Sequence, residues 1–239
     1  MLRFPIIGAA LMAATLLVPR ALDASTAANF TRADFDPTAI GAIETDVFEM
    51  ALGAASCAVR TGAVKDPETL TVIDYSKPSS ERRLWVFDLK KRKLLFHELV
   101  AHGRNTGENM AVNFSNKNES FATSLGLYRT QSSYVGQNGY SLRMEGLEPG
   151  FNDNAFDRAI VIHGAPYVSP MLARVNGRIG RSLGCPAVRP AIAHRLIDSM
   201  KDGQLLFSYY PDQRWLKTSS YINCGSETVA SASKPTVRK

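Results

Sequence analysis

Residues 159–190 read AIVIHGAPYVSPMLARVNGRIGRSLGCPAVRP. The stretch opens on an apolar run, Ala159–Ile162, with the length and composition of a buried strand. The run ends at His163-Gly164, so the imidazole is held by a sheet at the point where the strand gives way to open space. A long irregular piece, 165–184, then leads into Arg181-Ser182-Leu183-Gly184-Cys185-Pro186. A cysteine attacks only as thiolate, and a nearby imidazole is the usual means of removing its proton. Histidine accepts and returns protons near neutral pH. Gly184 lets the backbone turn sharply, so that amide N–H groups can face a developing oxyanion. The residues by themselves leave a plainer reading open, with Cys185 a small buried hydrophobe and His163 a satisfied core histidine.

Upstream of this stretch the pattern is that of strands. Leu70–Asp74, Leu84–Asp88, Leu94–Ala101, Gly126–Tyr134 and Tyr140–Glu145 are short β-rich runs, and Leu205–Tyr210 adds one downstream. Two helices flank them. Ile40, Ile43, Val47, Met50 and Ala51 recur at helical spacing, which predicts a helix over Thr38–Cys57 with Asp36-Pro37 as cap and first turn. Ile192, Leu196, Ile197 and Met200 predict a second over Ala191–Met200, closed by Gly203. The fold class is therefore mainly β with flanking helices, an α+β domain. Two long irregular stretches, 105–123 and 165–184, are candidates for functional loops.

The chain has 239 residues and a formal charge of +6. Its first residues read as a secretory signal peptide over 1–24: a basic start at Met1–Arg3, an uncharged apolar run from Phe4 to Val18, and small residues from Ala21 to Ala28. The run is shorter than the ~20 residues that span a bilayer. An uncleaved anchor is the alternative. Removal of 1–24 subtracts Arg3, Arg20 and Asp23, leaving +5. A basic exported chain is drawn to anionic polymers. No dense Lys/Arg run interleaved with aromatics points to nucleic acid, and membrane contact is expected only through the signal peptide. A helical segment (25–69), a catalytic domain (70–215) and a partly disordered tail (216–239) complete the expected layout.

Three cysteines, Cys57, Cys185 and Cys224, fit one bridge and one spare thiol in an oxidising compartment, with Cys57 and Cys224 as the pair. Three reduced thiols are the alternative. The histidines at 97, 102, 163 and 194 show no metal-ligand spacing, so neither a metal nor another cofactor is expected. His97, within a strand, and His194, on the polar side of the second helix, read as surface or core residues.

The pairing of strand-terminal His163-Gly164 with Ser182-Leu183-Gly184-Cys185 resembles the His…Ser/Thr-His-Gly-Cys signature of murein L,D-transpeptidase catalytic domains. The wording Gly180-Arg181-Ser182-Leu183-Gly184-Cys185-Pro186-Ala187-Val188 is similar to a proteobacterial subgroup. So are Phe114-Ser115-Asn116, Thr123-Ser124-Leu125-Gly126 and Tyr140-Ser141-Leu142-Arg143 with Gly146-Leu147. The likeness covers about 70–210 and implies a β-sandwich or barrel. It departs from the broader signature in two places. Leu183 stands where a second histidine is usual and cannot shuttle protons, and Pro186-Ala187 replace an Asn or Arg after the cysteine.

The resemblance implies a two-step acyl transfer on peptidoglycan stem peptides in the periplasm. Cys185 would be the nucleophile, His163 its base, and the Gly164 carbonyl the group that orients the imidazole. The amides of Gly184 and Cys185 would form the oxyanion site, and Ser182 would brace the loop. Arg181 and Arg189 are candidates to meet substrate carboxylates, and His102, at a strand end, is a possible cleft residue. Other envelope proteins are possible partners. Open alternatives are a hydrolase or a lipoprotein-anchoring enzyme with the same site, or a silent wall-binding module.

Overall fold

In the computed structural model, residues 29–38 and 40–224 are described; the expected signal peptide and the residues after Cys224 lie outside them. Eight strands form one sheet: β1 (Thr69–Asp74), β2 (Leu84–Asp88), β3 (Lys93–Glu98), β4 (Gly126–Gly136), β5 (Gly139–Gly146), β6 (Val161–Gly164), β7 (Ala187–Val188) and β8 (Leu205–Tyr209). The order is β3-β2-β1-β8-β4-β5-β6-β7. β1 with β8 and β6 with β7 are parallel pairs, and the remaining pairs are antiparallel. The expected mainly β, α+β class is what the chain adopts.

The two ends of this sheet meet. Beyond β3, Ala101 N–H donates to Ala187 O at 2.9 Å, and Gly103 bridges to Ser182. Arg189 closes the same seam on Glu98 with a two-pronged ion pair, Nε to Oε2 at 2.8 Å and Nη2 to Oε1 at 2.5 Å. The result is a nearly closed barrel with little open edge.

Both faces of the central strands are covered, so β1, β2 and β8 are buried at nearly every position, polar Thr69, Thr71 and Asp74 included. Leu70, Val72, Trp85, Phe87, Leu205 and Phe207 face one core. There α1 (Thr45–Arg60) contributes Val47, Phe48, Ala51, Leu52 and Ala55, at the three- and four-residue intervals of one helical face. Ile73, Leu84, Val86 and Leu206 face the second core, which α3 (Pro190–Met200) fills with Ile192, Leu196, Ile197 and Met200.

Several local expectations need correction. Asp36 does not cap α1: its carboxylate accepts Thr38 N–H and Oγ–H at 2.8 Å each, a local turn that stops short of the helix. Gly203 does not cap α3, because Lys201 is already extended and Gly203 N–H donates to Thr130 O in the turn into β8. The stretch 165–184 contains α2 (Pro170–Asn176), with Ser169 Oγ accepting Met171 N–H and Gly177 at φ +67°. The expected boundary at 215 falls inside α4 (Gln213–Thr218), whose Trp215 is fully buried and donates Nε1–H to Glu148. Past α4, Cys224 is joined to Cys57 of α1 by a disulfide.

Candidate active site

The thiol-bearing loop is stapled at both ends to the segment after β3. Ser182 N–H donates to His102 O at 2.9 Å and Arg104 N–H to Ser182 O at 2.8 Å, while Ala187 takes the Ala101 N–H. Between these staples the loop folds on itself: Ser182 Oγ–H donates to Cys185 O at 2.6 Å and accepts Gly184 N–H at 3.1 Å. Gly184 adopts φ +123°, and a β-carbon there would stand 3.0 Å from Ile160 Cδ1 and 3.1 Å from Ala122 O. Both the dihedral and the space call for glycine. Thr123, quoted above only within a family-like segment and given no role there, holds the loop: its Oγ accepts Gly103 N–H and donates to Gly184 O at 3.3 Å.

Because β7 runs parallel to β6 with His163 opposite Ala187, the same register sets Cys185 beside Val161. Val161 N–H donates to Sγ at 3.5 Å, and the thiol donates to Ala159 O at 3.8 Å. Ala159 takes the left-handed φ of +53°, as do Glu119 (+55°) and Phe121 (+51°) across the cavity. Such backbone strain tends to gather at functional sites.

His163 Nδ1 lies 3.1 Å from Gly164 O. A carbonyl only accepts, so Nδ1 carries the proton and Nε2 is the free base. Burial lowers the His163 pKa, with the Gly164 carbonyl opposing the shift. Burial raises the Cys185 thiol, with the Val161 N–H and the Arg158 guanidinium opposing it. Both shifts favour a neutral thiol beside a neutral imidazole over an ion pair.

His163 and Cys185 line one cavity of about 440 Å³, together with Gly164, Tyr167, Arg181 and Leu183. Cys185 and Leu183 also line a second, of about 690 Å³, whose walls include Glu119, Phe121, Asp157 and Arg158. The half-buried cysteine stands where the two meet. Leu183, in the place of the usual second histidine, is 59% exposed and belongs to both.

Of the remaining expected residues, Arg181 is in the cavity, with Nη1 on Glu108 Oε1 at 2.6 Å and on the Gly107 carbonyl. Arg189 is not, because its fork is spent on Glu98 at the barrel seam. His102 does not line the cleft either. It is wholly buried, accepts Arg83 Nη2–H on Nδ1 at 2.8 Å and donates Nε2–H to Gly107 O, bracing the 103–107 turn. Burial and the adjacent Arg83 push its pKa down to about 4. Of the two amides expected at an oxyanion site, that of Gly184 donates to Ser182 Oγ at 3.1 Å and that of Cys185 faces its own sulfur. His97 stacks on Trp85 and His194 on Tyr140, both away from the thiol. No cluster of three or more metal-ligating side chains occurs among the described residues.

The family description of the L,D-transpeptidase catalytic domain matches residues 40–209. The chain belongs to that family. Solved structures of L,D-transpeptidases share little sequence with it. The enzyme from Mycobacterium smegmatis is 14% identical, with 60% of this chain and 59% of that one covered at a TM-score of 0.37. One from Stackebrandtia nassauensis is 13% identical, with 68% and 67% covered and a TM-score of 0.37. The helical cell shape determining protein Pgp2 (K307A mutant) from Campylobacter jejuni is 11% identical, with 74% and 62% covered and a TM-score of 0.42. The chain thus spans about three fifths of the length of the L,D-transpeptidase from Mycobacterium smegmatis. No curated protein matches the sequence.

Proposed function

We propose that this chain is an exported L,D-transpeptidase of the proteobacterial subgroup, acting on peptidoglycan stem peptides through a Cys185 thioester. The observation that carries this is the cavity shared by the free Nε2 of His163 and the Cys185 thiol. His163 takes the thiol proton once it leaves the Ala159 carbonyl, and the thiolate attacks the carbonyl carbon at the L-centre of diaminopimelate. The Cys185 N–H, released from its own sulfur as the S–C bond forms, donates to the oxyanion. Collapse breaks the amide bond as His163 returns the proton to the departing D-Ala amine, leaving a thioester. An acceptor amine then attacks, His163 takes its proton, and the thiolate departs and is reprotonated. Substrate carboxylates meet Arg181. The Cys57–Cys224 bridge favours an oxidising compartment, in keeping with periplasmic export.

Intact mass after incubation with a wall-derived tetrapeptide tests the proposal. The parent gains the acyl mass less D-Ala on Cys185, and Cys185→Ser gains none. His163→Ala acylates ~10²–10⁴-fold more slowly, the usual loss on removing a general base. An adduct that persists in Cys185→Ser, or its absence in the parent, ends the assignment. Cross-linked, hydrolysed or lipoprotein-linked products identify the acceptor.

A further inference from the structure

Arg158 precedes β6 and carries a charge that no carboxylate answers. Its Nη1 donates to Ser115 O at 2.8 Å and Ser124 Oγ at 2.5 Å, and its Nη2 to Ser120 Oγ at 3.1 Å and Ala122 O at 2.7 Å. All four acceptors are neutral, and among the described residues no acidic side chain forms an ion pair with it. Neutral acceptors fix a guanidinium and offset part of its desolvation without cancelling its field, so the charge stays directed into its surroundings. The fixed point is telling. Nη2 lies 3.5 Å from where a side chain on Gly184 would begin, and Arg158 and Cys185 line the same cavity.

We propose that Arg158 is a positioning residue whose charge stabilises the thiolate of Cys185, an inference that rests on Cys185 being the nucleophile. The other ionisable groups around the sulfur do not supply a cation. His163, at the end of β6, is held neutral by burial. Tyr75, after β1, and Tyr167, after β6, are kept as phenols by burial, Tyr167 being pushed up to about 12. Arg181 is paired with Glu108. Glu119 and Asp157, on the wall of the larger cavity, are exposed and face water, which screens them. Arg158 also ties the 115–124 segment to the turn before β6, so the electrostatic role must be separated from the clamp.

Alkylation by iodoacetamide makes that separation without any acyl donor. The thiolate displaces iodide to form the S–C bond, so below its pKa the rate follows the thiolate fraction. At pH 8 the full chain with its disulfide intact is compared with Arg158→Gln, Arg158→Lys and the Ser120→Ala, Ser124→Ala double variant. A nearby cation lowers a thiol's pKa, and one unit of pKa is a tenfold change in thiolate below it, so Arg158→Gln alkylates more slowly by up to about tenfold, with its pH profile displaced upward. Arg158→Lys, which keeps the charge but not the four-point clamp, stays near the parent rate. The double variant, which loosens the clamp under an intact charge, does too; should Arg158→Gln fail to fold, Arg158→Met removes the charge in its place, with the same slowing expected. A parent-like rate in Arg158→Gln, a loss in Arg158→Lys as large as in Arg158→Gln, or a comparable loss in the double variant overturns the proposal. Any of these leaves the transpeptidase reading standing, whereas a failed acylation by tetrapeptide sinks that reading alone.

Discussion

At the scale of single residues, buried histidine and arginine set the pH range in which the site stays assembled. His102 Nδ1 accepts from Arg83 and cannot take a second proton without facing the guanidinium, while Nε2 donates to the Gly107 carbonyl. Its folded pKa of about 4 lies below the ordinary 6.5, so the unfolded chain binds the extra proton first. The stability His102 provides is present above pH 6.5 and is lost as pH falls toward 4. The span corresponds to roughly 3 kcal/mol. Urea unfolding at pH 7 and pH 4.5 should show this loss in the parent and a flatter dependence in His102→Asn. Equal pH slopes would remove His102 as its source.

At the scale of elements, the two cores separate stability from chemistry. Phe48 of α1 packs on Phe87 with ring centroids 4.5 Å apart and on Phe35 at 5.1 Å, in the core that does not carry Cys185. Phe48→Ala should cost about 3–5 kcal/mol, as large aromatic truncations do. At 20 °C it should leave iodoacetamide reactivity of Cys185 unchanged; a change in that reactivity would mean the two cores are coupled. The central strands were legible as short β-rich runs bounded by turn or charged segments, at 70–74 and 84–88, and α3 because its apolar positions repeat with the helical period over 192–200. α1 was placed seven residues too early because Asp36 makes the same kind of turn that caps a helix. α2 escaped because Met171 and Val175 point to solvent, although Ser169-Pro170 and Gly177 mark both its ends. β7 is two residues between prolines, too short for any period to register. Cys185 and His163 stood out by local motif, whereas Arg158 and Thr123 make their contacts with partners 36 and 61 positions away; Thr123 lies in a family-like segment, yet its sequence neighbours say nothing of its bond to Gly184.

At the scale of the whole molecule, the sheet seam and the disulfide close the domain at opposite places, one beside the thiol loop and one behind α1. Cys57 and Cys224 are 167 positions apart, so their bridge removes a large loop entropy from the unfolded chain. Reduction should lower stability by about 2–4 kcal/mol, read as a fall in denaturant midpoint with dithiothreitol or in Cys57→Ser, and thiol titration of the folded oxidised chain should find only Cys185. An unchanged midpoint would show that α4 and its tail dock without the bridge. The same arrangement creates a sorting problem at birth. Ribosomes release the thiols in the order 57, 185, 224, so the earliest mate presented to Cys57 is Cys185. Any 57–185 link formed at that stage has to be opened by a third sulfur before the native pair can close, so faithful pairing calls for disulfide exchange rather than oxidation alone.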